Sequence, residues 1–196
     1  IWFCLVGSEM CIRDRFSLEP SLMDNFIESV SEGLNQNGIE IWINTVKSFT
    51  NSQTSRVIIK NIIEETPAIL RSIPQSQYLE WVKQCYRISE VSEDLSITYV
   101  NATTGVIENL KPRHLLDWGN IGLSLYRSSK NSTSLVNNFF KYSPSLCLKL
   151  NYEELEILND TLKRISTRSI SFSIKILDWV LKISSIAPSA VSYTHL

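Results

Sequence analysis

Three tryptophans, Trp42, Trp81 and Trp118, recur at intervals of roughly 37–39 residues, and each lies in a stretch whose apolar residues return at helical spacing. Pro67 follows Trp42 at almost the same distance as Pro144 follows Trp118, so a second landmark keeps step with the first. A recurrence of ~37–40 residues with two helices in each copy falls in the range of HEAT and armadillo-like arrays. One copy alone has too little core, and stacking of neighbours supplies a continuous one. The spacing therefore predicts an all-α, HEAT-like helical-repeat solenoid of about four helix pairs. The alternative is a non-repetitive helical bundle in which tryptophans recur by chance.

Leu115 to Leu150 is the clearest copy. Pro112 suits the first turn of its first helix, and Leu115, Leu116, Trp118, Ile121, Leu125 and Tyr126 make the buried side. Gly119 and Gly122 each cost up to ~1 kcal/mol of helix propensity against alanine, a cost that fits close approach of a neighbouring helix. A Ser/Asn-rich turn follows, then Leu135, Val136, Phe139 and Phe140 face the core, and Ser143-Pro144 ends the second helix. The copy around Trp42 begins at Asn37, which stands at capping-box spacing from Glu40. It buries Ile39, Trp42, Ile43, Val46 and Phe49, turns at Thr50-Asn51-Ser52-Gln53, and presents Val57, Ile58, Ile62 and Ile63. Thr66-Pro67 breaks its second helix, because the residue before proline disfavours the helical region; Ala68-Ile69-Leu70 caps the pair.

The copy around Trp81 starts at Ser72 and Gln75, again at capping-box spacing, and carries Tyr78, Leu79, Val82, Cys85, Tyr86 and Ile88. Its second half, Val91 to Val100, is ambiguous by pattern: Leu95, Ile97 and Tyr99 alternate as a strand would, while the place in the repeat favours helix. Gly105, Val106, Ile107 and Leu110 match the apolar cap. A fourth copy places Asn151 and Glu154 at capping-box spacing, Leu155, Leu158, Leu162 and Ile165 on its first helix, and its second over Ile170 to Ile183. Leu22, Phe26, Ile27 and Val30, closed by Gly33, read as one more helix: a packing element for the first copy, or the second half of an incomplete one.

The two ends read differently from the rest. Met10-Cys11-Ile12-Arg13-Asp14-Arg15 can be encoded ATG-TGT-ATA-AGA-GAC-AG(R), and the reverse complement of that DNA translates as Val191-Ser192-Tyr193-Thr194-His195. Inverted copies of one DNA segment at both ends, similar to a sequencing-library transposase adaptor, mark residues 1–15 and 191–196 as adaptor-derived and outside fold reasoning. Residues 16–190 are then expected to be a helical-repeat fragment of a larger protein. Within them Cys85 and Cys147 are the only cysteines and His114 the only histidine, too few at too wide a spacing for a disulfide framework or a zinc site. The formal net charge is -1 with the adaptor residues or without them. Lysines and arginines are scattered, which gives no footprint for nucleic acid, and no apolar run reaches the ~18 residues of a membrane span.

Trp118, Gly122 and Phe139-Phe140-x-x-Ser143-Pro144-x-Leu146, with a looser match at Thr66-Pro67 and Ile69-Leu70, carry a resemblance to a known family. The pattern resembles the helical repeats ahead of the von Willebrand factor A domain in bacterial proteins of the nitric-oxide-reductase-activation type. The resemblance implies a neighbouring A-type domain that binds a divalent metal and works with a MoxR-type AAA+ ATPase in maturing other enzymes. The family's functional residues lie outside this chain.

Residues with possible chemistry are better explained without it. Asp94-Leu95-Ser96-Ile97-Thr98 superficially matches the Asp-x-Ser-x-Ser metal motif, but that motif ends a buried strand, and Asp94 follows the polar Glu90 to Glu93. His114 beside Arg113 lacks an identifiable nucleophile. Glu64-Glu65 and Glu153-Glu154 are adjacent on helices and so do not face each other. Three Asn-x-Ser/Thr matches, at Asn101, Asn131 and Asn159, are what composition alone produces. No catalytic, cofactor-binding or metal residue is assigned and no cofactor is expected. The sequence points to a non-catalytic cytoplasmic scaffold with a protein partner, the MoxR-type ATPase by resemblance, and with neither nucleic acid nor membrane. The alternatives are the helical domain of an enzyme, marked by a deep pocket at His114 with carboxylates, and a purely structural bundle.

Overall fold

The computed structural model describes residues 19–49 and 52–186; the two adaptor-like ends and Thr50 and Asn51, the first half of the expected turn, lie outside them. Among the described residues every regular element is helical: α1 Pro20–Gly33, α2 Gln36–Ser48, α3 Gln53–Ser72, α4 Gln75–Val91, α5 Glu93–Ile107, α6 Leu115–Ser128, α7 Thr133–Cys147, α8 Tyr152–Ser166 and α9 Ile170–Ile186, with a single 3-10 turn at Pro112–His114 leading into α6. Val91 to Val100 is therefore helical in all but its connecting residue, and the strand-like alternation has no part in it. No helix among the described residues is long and apolar enough to cross a membrane. The chain divides into two compact units between Thr104 and Gly105, within α5.

In the first unit α1 packs on α3 and α2 packs on α4, so each helix lies beside the one two places on. The lateral bonds keep a constant offset. Asn35 and Gln75, 40 residues apart, exchange two hydrogen bonds of 3.1 and 3.0 Å. Ser52 and Ser55 both donate to Glu93 Oε1, at 2.6 and 2.7 Å across 41 and 38 residues. Asn61 donates to Asn101 at 2.8 Å across 40 residues, and Thr104 donates to Glu65 across 39. The separation that the tryptophans show along the chain thus reappears between side chains of neighbouring helices.

In the second unit α6 packs on both α7 and α8, and α9 packs on both α7 and α8. His114 stacks on Tyr152, one repeat interval further along the chain, with ring centroids 4.1 Å apart. The α6–α7 turn places Lys130 and Asn131 in the left-handed region at φ 53° and 62°, which asparagine adopts more readily than most residues. On α9 the large side chains Phe172, Trp179 and Ile183 are about half exposed.

In two of the helix pairs the tryptophan is tied to a hydroxyl. Trp81 Nε1 donates to Thr103 Oγ1 at 3.1 Å, and Trp118 Nε1 donates to Ser143 Oγ at 2.8 Å. Both hydroxyls donate in turn to the carbonyl one helical turn back, on Tyr99 and Phe139. Thr66 holds the matching place in the first pair and donates to the Ile62 carbonyl, but it shares its other hydrogen bond, 2.8 Å, with the Tyr78 hydroxyl. Trp42 Nε1, beside that phenol, lacks an aligned acceptor. The buried polar atoms of the cores are thus largely matched to each other, as burial demands.

Several local expectations need correction. Pro67 and Pro144 do not end their helices; α3 runs on to Ser72 and α7 to Cys147. The residues beyond each proline bury Ile69 and Leu146 completely, and that packing outweighs the missing N–H and the ring clash. Asn35, not Asn37, caps α2 by accepting from Gly38 N at 2.8 Å. Ser72 is the last residue of α3 rather than a cap for α4, and Gln75 turns to Asn35 instead. Gly105 to Ile107 finish α5 rather than form a separate cap, and Val57 is 41% exposed. At α8 the reading agrees with the structure: Asn151 Oδ1 accepts from Glu154 N at 3.0 Å and Glu154 Oε2 accepts from Asn151 N at 2.8 Å, a complete capping box.

Replacing Pro67 by alanine should raise stability by about 2 kcal/mol, because proline in a helix interior costs ~3 kcal/mol against alanine and part of that is returned by its stiffening of the unfolded chain. Urea unfolding read by circular dichroism checks it, and an unchanged midpoint would show that the helix has absorbed the proline fully. The cores also predict alkaline lability. Burial pushes the Cys85 thiol and the Tyr78 and Tyr99 phenols well up, and pushes Cys147 up to about 12. For groups ionising to anions, a raised folded pKa means stability that is complete below the unfolded values of 9.0 for cysteine and 10.0 for tyrosine. Above them the unfolded chain sheds protons that the folded one retains, and each group removes up to ~1.4 kcal/mol per pH unit. Thermal melts should be flat from pH 7 to 9 as far as these groups are concerned, and fall steeply beyond it.

Candidate functional site

The polar residues singled out in the sequence end up dispersed. Asp94 is exposed in the first turn of α5, where its charge favours the helix N-terminus. Ser96 is fully buried and donates to the Cys85 carbonyl at 2.8 Å, while Thr98 donates back to Asp94 O at 3.1 Å. The three alternate along one helix, with Ser96 buried and Asp94 exposed, so they do not form one ligand set. Glu64 pairs with Lys60 at 3.7 Å and Glu65 accepts from Thr104, so the two carboxylates serve different neighbours. Glu154 belongs to the capping box. Cys85 and Cys147 are buried free thiols. No group of three or more His, Cys, Asp or Glu among the described residues is placed to hold a metal ion.

His114 is the exception, because its surroundings are built. It leaves the 3-10 turn just before α6, receives a hydrogen bond on Nε2 from Arg113 Nε at 3.0 Å, and lays its ring on Tyr152 at an interplanar angle of 14°. Its Nδ1 is buried without a hydrogen-bond partner, 3.8 Å from Asp117 Oδ2. A cleft of about 340 Å³ opens beside it, bounded by Lys111, Arg113, Asn151, Tyr152 and Glu153. Among the described residues neither serine, threonine nor cysteine lines this cleft.

On the other side of Tyr152 a second cleft of about 360 Å³ runs between α6 and α8. Asp117, Asn120, Ile121 and Ser124 come from α6 at helical spacing; Tyr152, Glu156, Asn159, Asp160 and Lys163 come from α8. Both sets are single helix faces, brought together by the stacking of α6 on α8. Tyr152 joins the two clefts. Its hydroxyl donates to Glu156 Oε1 at 3.0 Å. Burial, that bond, and the charges of Asp117 and Glu156 all push its pKa up. Lys163 lies 3.4 Å from Asp160. Three carboxylates against one ammonium leave the lining of the α6–α8 cleft with an excess of negative charge.

This cleft was not legible as a site in the sequence. Asn159 entered only as a chance glycosylation match, and Asp117, Glu156 and Asp160 are ordinary surface carboxylates until α6 and α8 lie side by side. The available signal was the spacing of Asp117 and Glu156, which matches one repeat interval. What the geometry can do is hold a cation or a donor-rich group between the carboxylates of its two walls. No family model, curated protein or solved structure matches this chain.

Proposed function

We propose that the helix pairs form a HEAT-like array that works as a scaffold, recognising another protein through the faces of successive helices rather than carrying out chemistry. The observation behind this reading is the constant offset of 38–41 residues at which side chains of neighbouring helices bond in the first unit. Equivalent positions side by side are what stacked repeats require, and stacked repeats offer extended surfaces suited to partners. The resemblance of Trp118 to Leu146 adds a specific setting: a helical region ahead of a metal-dependent A-type domain, assisting a MoxR-type AAA+ ATPase in a cytoplasmic maturation complex. Two measurements test this. The reading frame continued past Ala190 in the source DNA should encode a hydrophobic strand followed by Asp-x-Ser-x-Ser. Calorimetric titration of the chain with the MoxR-type ATPase of the same genome should give saturable binding. A continuation without that motif, together with no binding, would overturn this setting.

A further inference from the structure

We propose that the α6–α8 cleft is the seat for an arginine side chain presented by a basic segment of the partner protein; the inference rests on the scaffold reading and gives the partner's contact a chemistry. Asn159 carries the argument. It is 4% exposed, lines the cleft, and its Oδ1 accepts no hydrogen bond. A buried acceptor left without a donor is costly, and native structures leave few of them. No described residue donates to it, and Lys163, four residues on along the same helix, lies 3.4 Å from Asp160 instead.

The surroundings define what could complete it. Asp117 from α6 and Glu156 and Asp160 from α8 place carboxylates on both walls, so an entering donor has to be cationic to be favoured and an anion is repelled. Side chains of Asp117 and Asp160 remain 51% and 64% exposed, hence available. Tyr152 is pinned by the His114 ring on one face and by its bond to Glu156, so the wall is held in place before a guest arrives. A guanidinium presents five donors in a planar fork and can meet a carboxylate and an amide carbonyl together, which a single ammonium does less well. Attraction through partly exposed carboxylates also implies an affinity that falls with added salt.

The test is a nitrogen-15 NMR titration of the full chain with acetyl-Gly-Arg-Gly-Arg-Gly-amide, beside the same peptide carrying citrulline. The expected result is saturable shifts concentrated at Asp117, Asn120, Glu156, Asp160 and the Asn159 side-chain amide, with the citrulline peptide at least tenfold weaker. Asp117→Asn with Glu156→Gln should weaken arginine binding about tenfold, and Lys163→Gln, which removes the ammonium lining the cleft, should strengthen it about threefold. Equal binding of the citrulline peptide, shifts spread over every acidic helix face, or no response to either variant would overturn the seat. The ATPase titration separates the two levels. Undiminished ATPase binding by the double variant, with no peptide response, removes the cleft and leaves the scaffold. A specific peptide response without ATPase binding supports the cleft and removes that partner.

Discussion

Trp118→Ala is expected to destabilise the second unit by about 3–5 kcal/mol, the usual range for removing a large aromatic from a core. Trp118 is fully buried, meets the Phe140 ring edge-on at 5.2 Å and 71°, and donates to Ser143 at 2.8 Å. Its loss opens a cavity between α6 and α7 that fully buried neighbours cannot fill without leaving their own contacts. Trp118→Phe separates the parts, since it keeps most of the volume and gives up the indole N–H. Ser143 still donates to the Phe139 carbonyl. The phenylalanine variant should therefore cost only about 1–2 kcal/mol, the worth of one buried hydrogen bond and a small loss of packing. Guanidinium unfolding followed by circular dichroism measures both. A loss below about 1 kcal/mol for the alanine variant, the level of an ordinary substitution, would show that Trp118 does not anchor the pair.

Gly122→Ala should cost about 2–3 kcal/mol although alanine is the better helix former by ~1 kcal/mol. A Cβ at Gly122 would overlap the Phe140 ring. That ring cannot move aside: it is fully buried, and Phe139 lies against it at 5.8 Å as Trp118 does on its other contact. Gly33→Ala is the matched control. There the new methyl would meet the end of Leu70 at 3.1 Å, the tip of a flexible side chain, and the change should be close to neutral. If both glycines tolerate alanine equally, α6 and α7 are not in the close contact described.

The agreement between sequence and structure has a physical pattern. Apolar periodicity picked out the buried faces well: Ile58, Ile62, Ile63, Tyr78, Trp81, Val82, Leu135, Phe139 and Phe140 are all at most 1% exposed. A periodic apolar face is decided by burial, and burial is the largest favourable term. Capping residues were legible where local chemistry was complete. At Asn151 both halves of the capping box are present within one turn of chain. At Ser72 and Gln75 the same spacing misleads, because Gln75 gains more by bonding Asn35 on the helix beside it. The prolines mislead likewise, since a local rule lost to the burial of Ile69 and Leu146 further along.

Periodicity in the chain was enough to establish that it is helical, which residues enter the cores, and the interval at which the pattern returns, since all three follow from the free energy of burying apolar faces. Packing in three dimensions was needed to select Thr103 and Ser143 as acceptors for Trp81 and Trp118, to bring Glu93 to Ser52 and Ser55, and to set Asp117 and Glu156 in one cleft with Asn159. The hydrogen bonds among these join residues from 22 to 41 positions apart. Polar side chains lack the apolar periodicity that marks a buried face, so their partners are chosen when packed helices bring them within bonding distance.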